Sequence, residues 1–244
     1  MKHGFKIWRE ATSTSPSGRK LPLYKIWLQK DSKHPDSLPG DVFFKIITDI
    51  ITVSQRLQYP LQRWTMAYNL FVCKEPGNFN VDRLRPLHNI DAELNLIRRE
   101  LISRRLMKNA EAYGCIPMNN SGCRKGRTAI DVVMLKYFTL GTAQMIRKNC
   151  AITDCDARAC YDRILPHVLF LCYHKMGLPP NDCVWLAKAL VNMRYHILTG
   201  HGPSHDVSES DDKNQLFGIG QGATDASAGW LIISTFLSQV YDKL

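Results

Sequence analysis

The stretch Ile152-Thr153-Asp154-Cys155-Asp156-Ala157-Arg158-Ala159-Cys160-Tyr161-Asp162-Arg163-Ile164 decides how this chain is read. Cys150 to Cys155 is short and partly β-branched, which predicts a central strand running into Asp156. Side chains alternate along a strand, so Asp154 and Asp156 fall on one face. Two carboxylates at a strand end are hard-oxygen ligands of the kind Mg²⁺ takes. Asp162 follows a few residues on, preceded by the aromatic Tyr161. Aspartates at strand–helix junctions also serve as turn formers and helix caps, and spacing alone does not separate the two readings.

Upstream, 1–40 is an irregular lead-in rich in Ser, Thr, Pro and Gly, broken by the apolar piece LYKIWL. From Asp41 to Tyr59, Phe43, Ile46, Ile47, Ile50, Val53 and Leu57 recur at helical spacing, and Pro60 stops the helix. Alternation of Trp64, Met66, Tyr68, Leu70 and Val72 predicts a strand, and Leu84 to Leu87 a second across the turn EPGN. Ile90 to Leu106 reads as a helix that buries Leu94, Ile97 and Leu101, with Asp91 and Glu93 at its positive end. Thr128 and Asp131 form a capping-box pattern that opens a helix from Ala129.

Downstream, helices are predicted over Pro166–Met176 and Asn181–Asn192, then a strand over Tyr195–Thr199 and a polar loop over Gly200–Asn214. The glycine turn GIGQG (218–222) and a helix from Ser227 to Lys243 complete the order. The class is α+β, helix-rich with a small antiparallel sheet, divided at 1–40, 41–149 and 150–244.

Composition narrows the function classes. The chain has 244 residues, 45% of them hydrophobic and 22% charged, as in an ordinary globular protein. No apolar run is long enough to span a bilayer and the N-terminus lacks a signal-peptide core, so an intracellular protein without a membrane partner is expected. Its eight cysteines include no CxxC pair and read as buried thiols. Residues 1–150 carry 25 Lys and Arg against 12 Asp and Glu, whereas 151–244 carry 7 against 10. A basic half beside an acidic half suits a polyanion held by one part and cations gathered in the other. His201, His205, Asp206 and Glu209 crowd one loop, but Gly, Pro and Ser leave their spacing unfixed. GxxxxGK[ST], GxSxG and HExxH patterns do not occur.

Four segments, in order, resemble the reverse transcriptase domain of non-LTR-type retroelements. Asp156-Ala-Arg-Ala-Cys-Tyr161-Asp162-Arg-Ile resembles motif A of the palm. GCRKGRTAID (122–131) resembles the fingers segment upstream of it, with Cys123 where an aromatic is usual. Arg85-Pro86-Leu87, with Lys74 before it, resembles the fingers hairpin. Gly218-Ile-Gly-Gln221-Gly222 resembles motif B, without the Pro that usually follows. The resemblance runs from about residue 8 to 244 and implies right-hand polymerase fingers plus an incomplete palm.

The implied activity is RNA-directed DNA polymerisation with Mg²⁺ as cofactor, Mn²⁺ substituting, on an RNA template, a DNA primer and dNTPs. The resemblance makes Asp156 the catalytic metal ligand, with Asp154 supporting it on the same face. It makes Tyr161, beside Ala157, the gate that rejects a 2′-hydroxyl. Lys74 and Arg85 neutralise the triphosphate, which needs fixed positive charge. Gln221 and Gly222 let backbone approach the nucleotide and template closely. Arg124, Lys125 and Arg127 contact template phosphates, and Asp162 is a structural cap. The family's motif C, an aromatic-x-Asp-Asp turn, does not occur among these residues, so the expected form is a polymerase domain inactive by itself. Two rival readings are an RNA-dependent RNA polymerase, which the Gln-Gly turn and Tyr161 disfavour, and a decayed fragment that only binds nucleic acid.

Overall fold

The computed structural model describes residues 15–19, 21–26, 40–152, 157, 160–211 and 218–241. Helices predominate and surround a four-stranded sheet. A short α1 (Leu21–Ile26) precedes α2 (Gly40–Leu57), which ends before Pro60 as its sequence demands. Its buried face is Phe44, Ile47, Ile51 and Ser54, whereas Ile46, Ile50, Val53 and Leu57 are exposed. The predicted apolar stripe was therefore centred about one position off: the helix is apolar over more than one face, and packing chose between them.

Strands β1 (Met66–Cys73) and β2 (Leu84–Asn89) form the expected antiparallel hairpin, with Val72 opposite Arg85 and Leu70 opposite Leu87. On its other edge β1 pairs in parallel with β3 (Arg194–Thr199), Ala67 lying opposite Tyr195. β3 then pairs antiparallel with β4 (Gly202–Ser208), giving the order β2-β1-β3-β4. Two sequence expectations are corrected here. The sheet is mixed rather than antiparallel, because β1 and β3 are far apart in sequence and joined through helices. The polar loop expected over Gly200–Asn214 contains β4, an edge strand whose polar residues tolerate solvent. Strands from both sides of the 149/150 division share this one sheet.

Ala67, Tyr195 and His88 face the core from the sheet. Against that face runs a continuous rod: α3 (Ala92–Arg98), a π-helical stretch (Arg99–Leu106) and α4 (Met107–Ala112), helical dihedrals carrying through both junctions. It buries Leu94, Leu96, Ile97, Ile102, Leu106 and Met107. Asp91 caps it, its Oδ1 accepting the Glu93 N–H at 2.9 Å. α5 (Ala129–Met145) opens as its capping residues predict, the Asp131 carboxylate accepting from Thr128 N–H. None of its residues is buried among the described residues. α6 (Pro166–Lys175), α7 (Pro180–Val191) and α8 (Ala226–Tyr241) complete the core with Leu169, Tyr173, Trp185, Leu186, Leu231 and Ile232. Prolines start α6 and α7, where a missing N–H costs nothing.

Candidate functional site

The site is organised by the glycine turn at 218–222. Gly218, Gly220 and Gly222 all adopt positive φ, so the sequence GIGQG is what allows this path. The turn is also pressed into its neighbours. A Cβ on Gly218 would lie 2.9 Å from the Tyr161 carbonyl oxygen, and one on Gly220 2.7 Å from His88 Nδ1. At Gly222 it would lie 2.8 Å from the His88 carbonyl oxygen, so the closeness glycine permits there is to the end of β2.

Main-chain hydrogen bonds hold the turn on two sides. Gly218 N–H donates to Ile164 O at 2.8 Å and Ile219 N–H to Tyr161 O at 3.0 Å. His88 N–H donates to Gln221 O at 2.6 Å. Three expected site segments, the 160–164 stretch, the hairpin and the glycine turn, thus meet at one place although they lie far apart in sequence.

Tyr161 sits in a 3₁₀ turn (Cys160–Arg163), partly buried against the core. Asp162, expected as a cap, does not cap α6, whose N-cap is Leu165. Its Oδ2 accepts from Gln221 Nε2 at 3.3 Å, which orients the glutamine amide. Burial pushes the Asp162 carboxyl up, while the Gln221 bond and the charge of Lys74 partly offset this. Lys74 is therefore near enough to act on Asp162, which brings Lys74, Asp162 and Gln221 into one electrostatic neighbourhood. Lys74 is exposed just beyond β1, its N–H bonded to Arg83 O, and Arg85 is exposed on β2.

Arg124 is occupied by the end of α4 and by its own loop. Its Nε and Nη2 grip Glu111 at 2.7 and 2.6 Å, and Nη1 donates to Pro117 O and Asn120 O. Lys125 is exposed, and Arg127 contacts the Met118 sulfur and lies near enough to Glu111 to help hold that carboxyl down, so Lys125 is the more open of these two cations. Asp154 and Asp156 lie outside the described residues; Ala157, beside them, is exposed. Their carboxylates are the donor type that Mg²⁺ takes. Among the described residues no group of three His, Cys, Asp or Glu is arranged to hold a metal.

Beneath the turn lies a charged layer that no sequence motif marks. Arg98, from the C-terminal end of α3, reaches Asp225 with Nε 2.9 Å from Oδ1, and the two side chains are 5% and 1% exposed. The contact is ionic rather than a well-aimed hydrogen bond, since Asp225 Oδ1 has no donor in line. Arg98 Nη2 donates to Ile219 O at 3.1 Å, and Tyr173 OH lies 3.5 Å from Asp225 Oδ2. Arg98 Nη1 and His88 Nδ1 are buried with no hydrogen-bond partner among the described residues. Burial, helped by the nearby Arg98 charge, lowers the His88 imidazole to about 4, so it is neutral at physiological pH. The one signal for this layer was an arginine on the apolar side of a predicted helix.

No family model matches the chain, and no curated protein is significantly similar to it.

Proposed function

We propose that this chain is the fingers and palm part of an RNA-directed DNA polymerase that adds dNTPs to a DNA primer on an RNA template. One observation carries the reading: the glycine turn fastens the Tyr161 segment to the end of the hairpin that bears Lys74 and Arg85. A nucleotide held there would meet an aromatic face, an oriented amide and two cations together. Tyr161 would lie under the sugar and exclude a 2′-hydroxyl. Lys74 and Arg85 would balance the triphosphate charge without exchanging protons. Gln221, its amide held by Asp162, would steady the nucleotide against the template. Lys125 and Arg127 would bind template phosphates and set its register. Mg²⁺, held by Asp156 with Asp154 behind it, would activate the primer hydroxyl and bind the triphosphate. Among the described residues no helix is long and apolar enough to cross a membrane.

The test is Mg²⁺-dependent primer extension on RNA, alongside primer–template binding at several salt concentrations. The reading expects primer–template affinity that falls steeply with salt and dNTP binding that Mg²⁺ strengthens and Asp156→Asn weakens, with any extension lost in the same variant. Salt-sensitive binding with neither extension nor Mg²⁺-dependent dNTP binding would favour the binding-only reading, and salt-insensitive binding would overturn both.

A further inference from the structure

We infer that Arg98, paired with Asp225, is a positioning residue for the candidate nucleotide site: it fixes the Ile219 peptide and thereby the stance of Tyr161 and Gln221. This rests on the proposed role of those two residues in nucleotide binding. Ile219 is gripped through both of its main-chain polar groups. Its N–H donates to Tyr161 O at 3.0 Å, and its carbonyl accepts from Arg98 Nη2 at 3.1 Å. Any movement of the Arg98 fork is therefore passed across Ile219 Cα, where two rigid peptide planes meet, to the main chain of Tyr161. Gln221, two residues on, is held on its far side by His88 N–H.

The turn needs such an anchor. With three glycines at positive φ it has little conformational preference of its own. A guanidinium suits the task because one side of its plane can face Asp225 while another nitrogen meets a carbonyl, which an ammonium does less well. Asp225 is itself fixed. It lies just before α8, its carbonyl oxygen accepts the Gly229 N–H at 2.8 Å, and its carboxylate stands by the positive end of that helix. Its neighbour Thr224 is tied to the rod: Thr224 Oγ1 donates to Asn95 O at 2.6 Å, and its carbonyl accepts from Ser103 Oγ at 2.9 Å. The π-helical stretch containing Ser103 thus lies against the same turn. A buried ion pair adds little net stability over apolar groups of similar size. The directed bond to Ile219 O is what an apolar replacement would lack.

The experiment uses the full chain with two variants. Arg98→Met/Asp225→Leu removes both charges and leaves neither unpaired. Arg98→Lys keeps the charge but weakens the two-point grip, and serves if the double variant does not fold. Hydrogen exchange is read at the Gly218, Ile219 and Ala223 amides and, as reference, in α6 and α7. Equilibrium titrations with dATP·Mg²⁺ and ATP·Mg²⁺ on bound primer–template give the preference for deoxynucleotide. The expected result is exchange at the turn faster by about tenfold with the reference helices unchanged. Weaker dATP binding and a smaller dATP-to-ATP ratio should accompany it. Turn exchange that stays at the wild-type rate, or rises only together with α6 and α7, overturns the positioning role. Absence of dATP binding in the unaltered chain overturns the nucleotide reading instead, with the exchange arm still deciding whether Arg98 holds the turn.

Discussion

Two charged side chains on the same short helix, Glu93 and Arg98, are both buried, yet their surroundings differ. Both oxygens of Glu93 are filled: Tyr24 OH donates at 2.7 Å, Trp64 Nε1 at 2.9 Å and Arg19 at 3.4 Å, with Arg63 paired to it as well. Burial pulls the Glu93 carboxyl up, but the bonds from Arg63 and Tyr24 outweigh it and leave the group below its ordinary value. Arg98 has one carboxylate and one carbonyl, and its Nη1 is unmatched among the described residues. The saturated Glu93 carboxylate fastens α1 and the strand entry to α3, and the unmatched atom of this hub is Nε of Arg63 rather than either carboxylate oxygen. An incompletely matched charge under a glycine turn acts on the backbone that passes over it. Burial alone did not distinguish the two; the count of partners did.

The largest expected effect is at the saturated hub. Glu93→Leu should cost about 4 kcal/mol in denaturant unfolding, because it strands the Arg63 charge and two buried donors. A loss under about 1 kcal/mol would show that the hub is not the anchor described here.

Acid should separate the two regions next. His88 binds its proton with a folded-state pKa of about 4 against an ordinary value of 6.5. The unfolded chain therefore takes up the proton first. Stability from this group is complete above pH 6.5 and is lost as pH falls toward 4, by about 3 kcal/mol in all. In His88→Gln this limb of the pH–stability curve should flatten; an unchanged curve would assign the acid loss to other groups.

At the turn, Gly220→Ala combines an unfavourable φ with a Cβ 2.7 Å from the His88 ring, and should cost about 2 kcal/mol. Gly114→Ala, also at positive φ but with open space around it, should cost about 1 kcal/mol. Equal costs at the two positions would mean that the turn is not packed against β2. The smallest stability change is expected for Asp162→Asn, under about 1 kcal/mol, since an amide can still accept from Gln221. Its readout is nucleotide affinity, which should change severalfold as the charge beside Lys74 disappears. Unchanged affinity would leave Asp162 as packing alone.

Much of the fold was legible along the chain. Pro60 ended α2, Thr128 and Asp131 opened α5, and alternation from Trp64 to Val72 marked β1, although the strand starts only at Met66, after a 3₁₀ turn over Gln62–Thr65. The parallel partner of β1 was not legible, because nothing local in Arg194–Thr199 names a strand so far away. Strand β4 was missed for a related reason, since polar edge residues read as loop. Within the site, Tyr161, Gln221 and Gly222 stood out through the resemblance of their segments to polymerase motifs, not through spacing alone. Arg98 did not, for an arginine on a helix usually faces water, and only the opposing Asp225 and Ile219 carbonyl give it a reason to be buried.

The sequence by itself determined most of the helices, the hairpin and the uneven distribution of charge, because propensity, alternation and charge are properties of neighbouring residues. Tertiary structure alone decided that the glycine turn joins Tyr161 to His88, and that Arg98 turns inward to the Ile219 carbonyl and Asp225. Those outcomes depend on which distant backbone groups remain unpaired once the core has packed, and no local pattern carries that information.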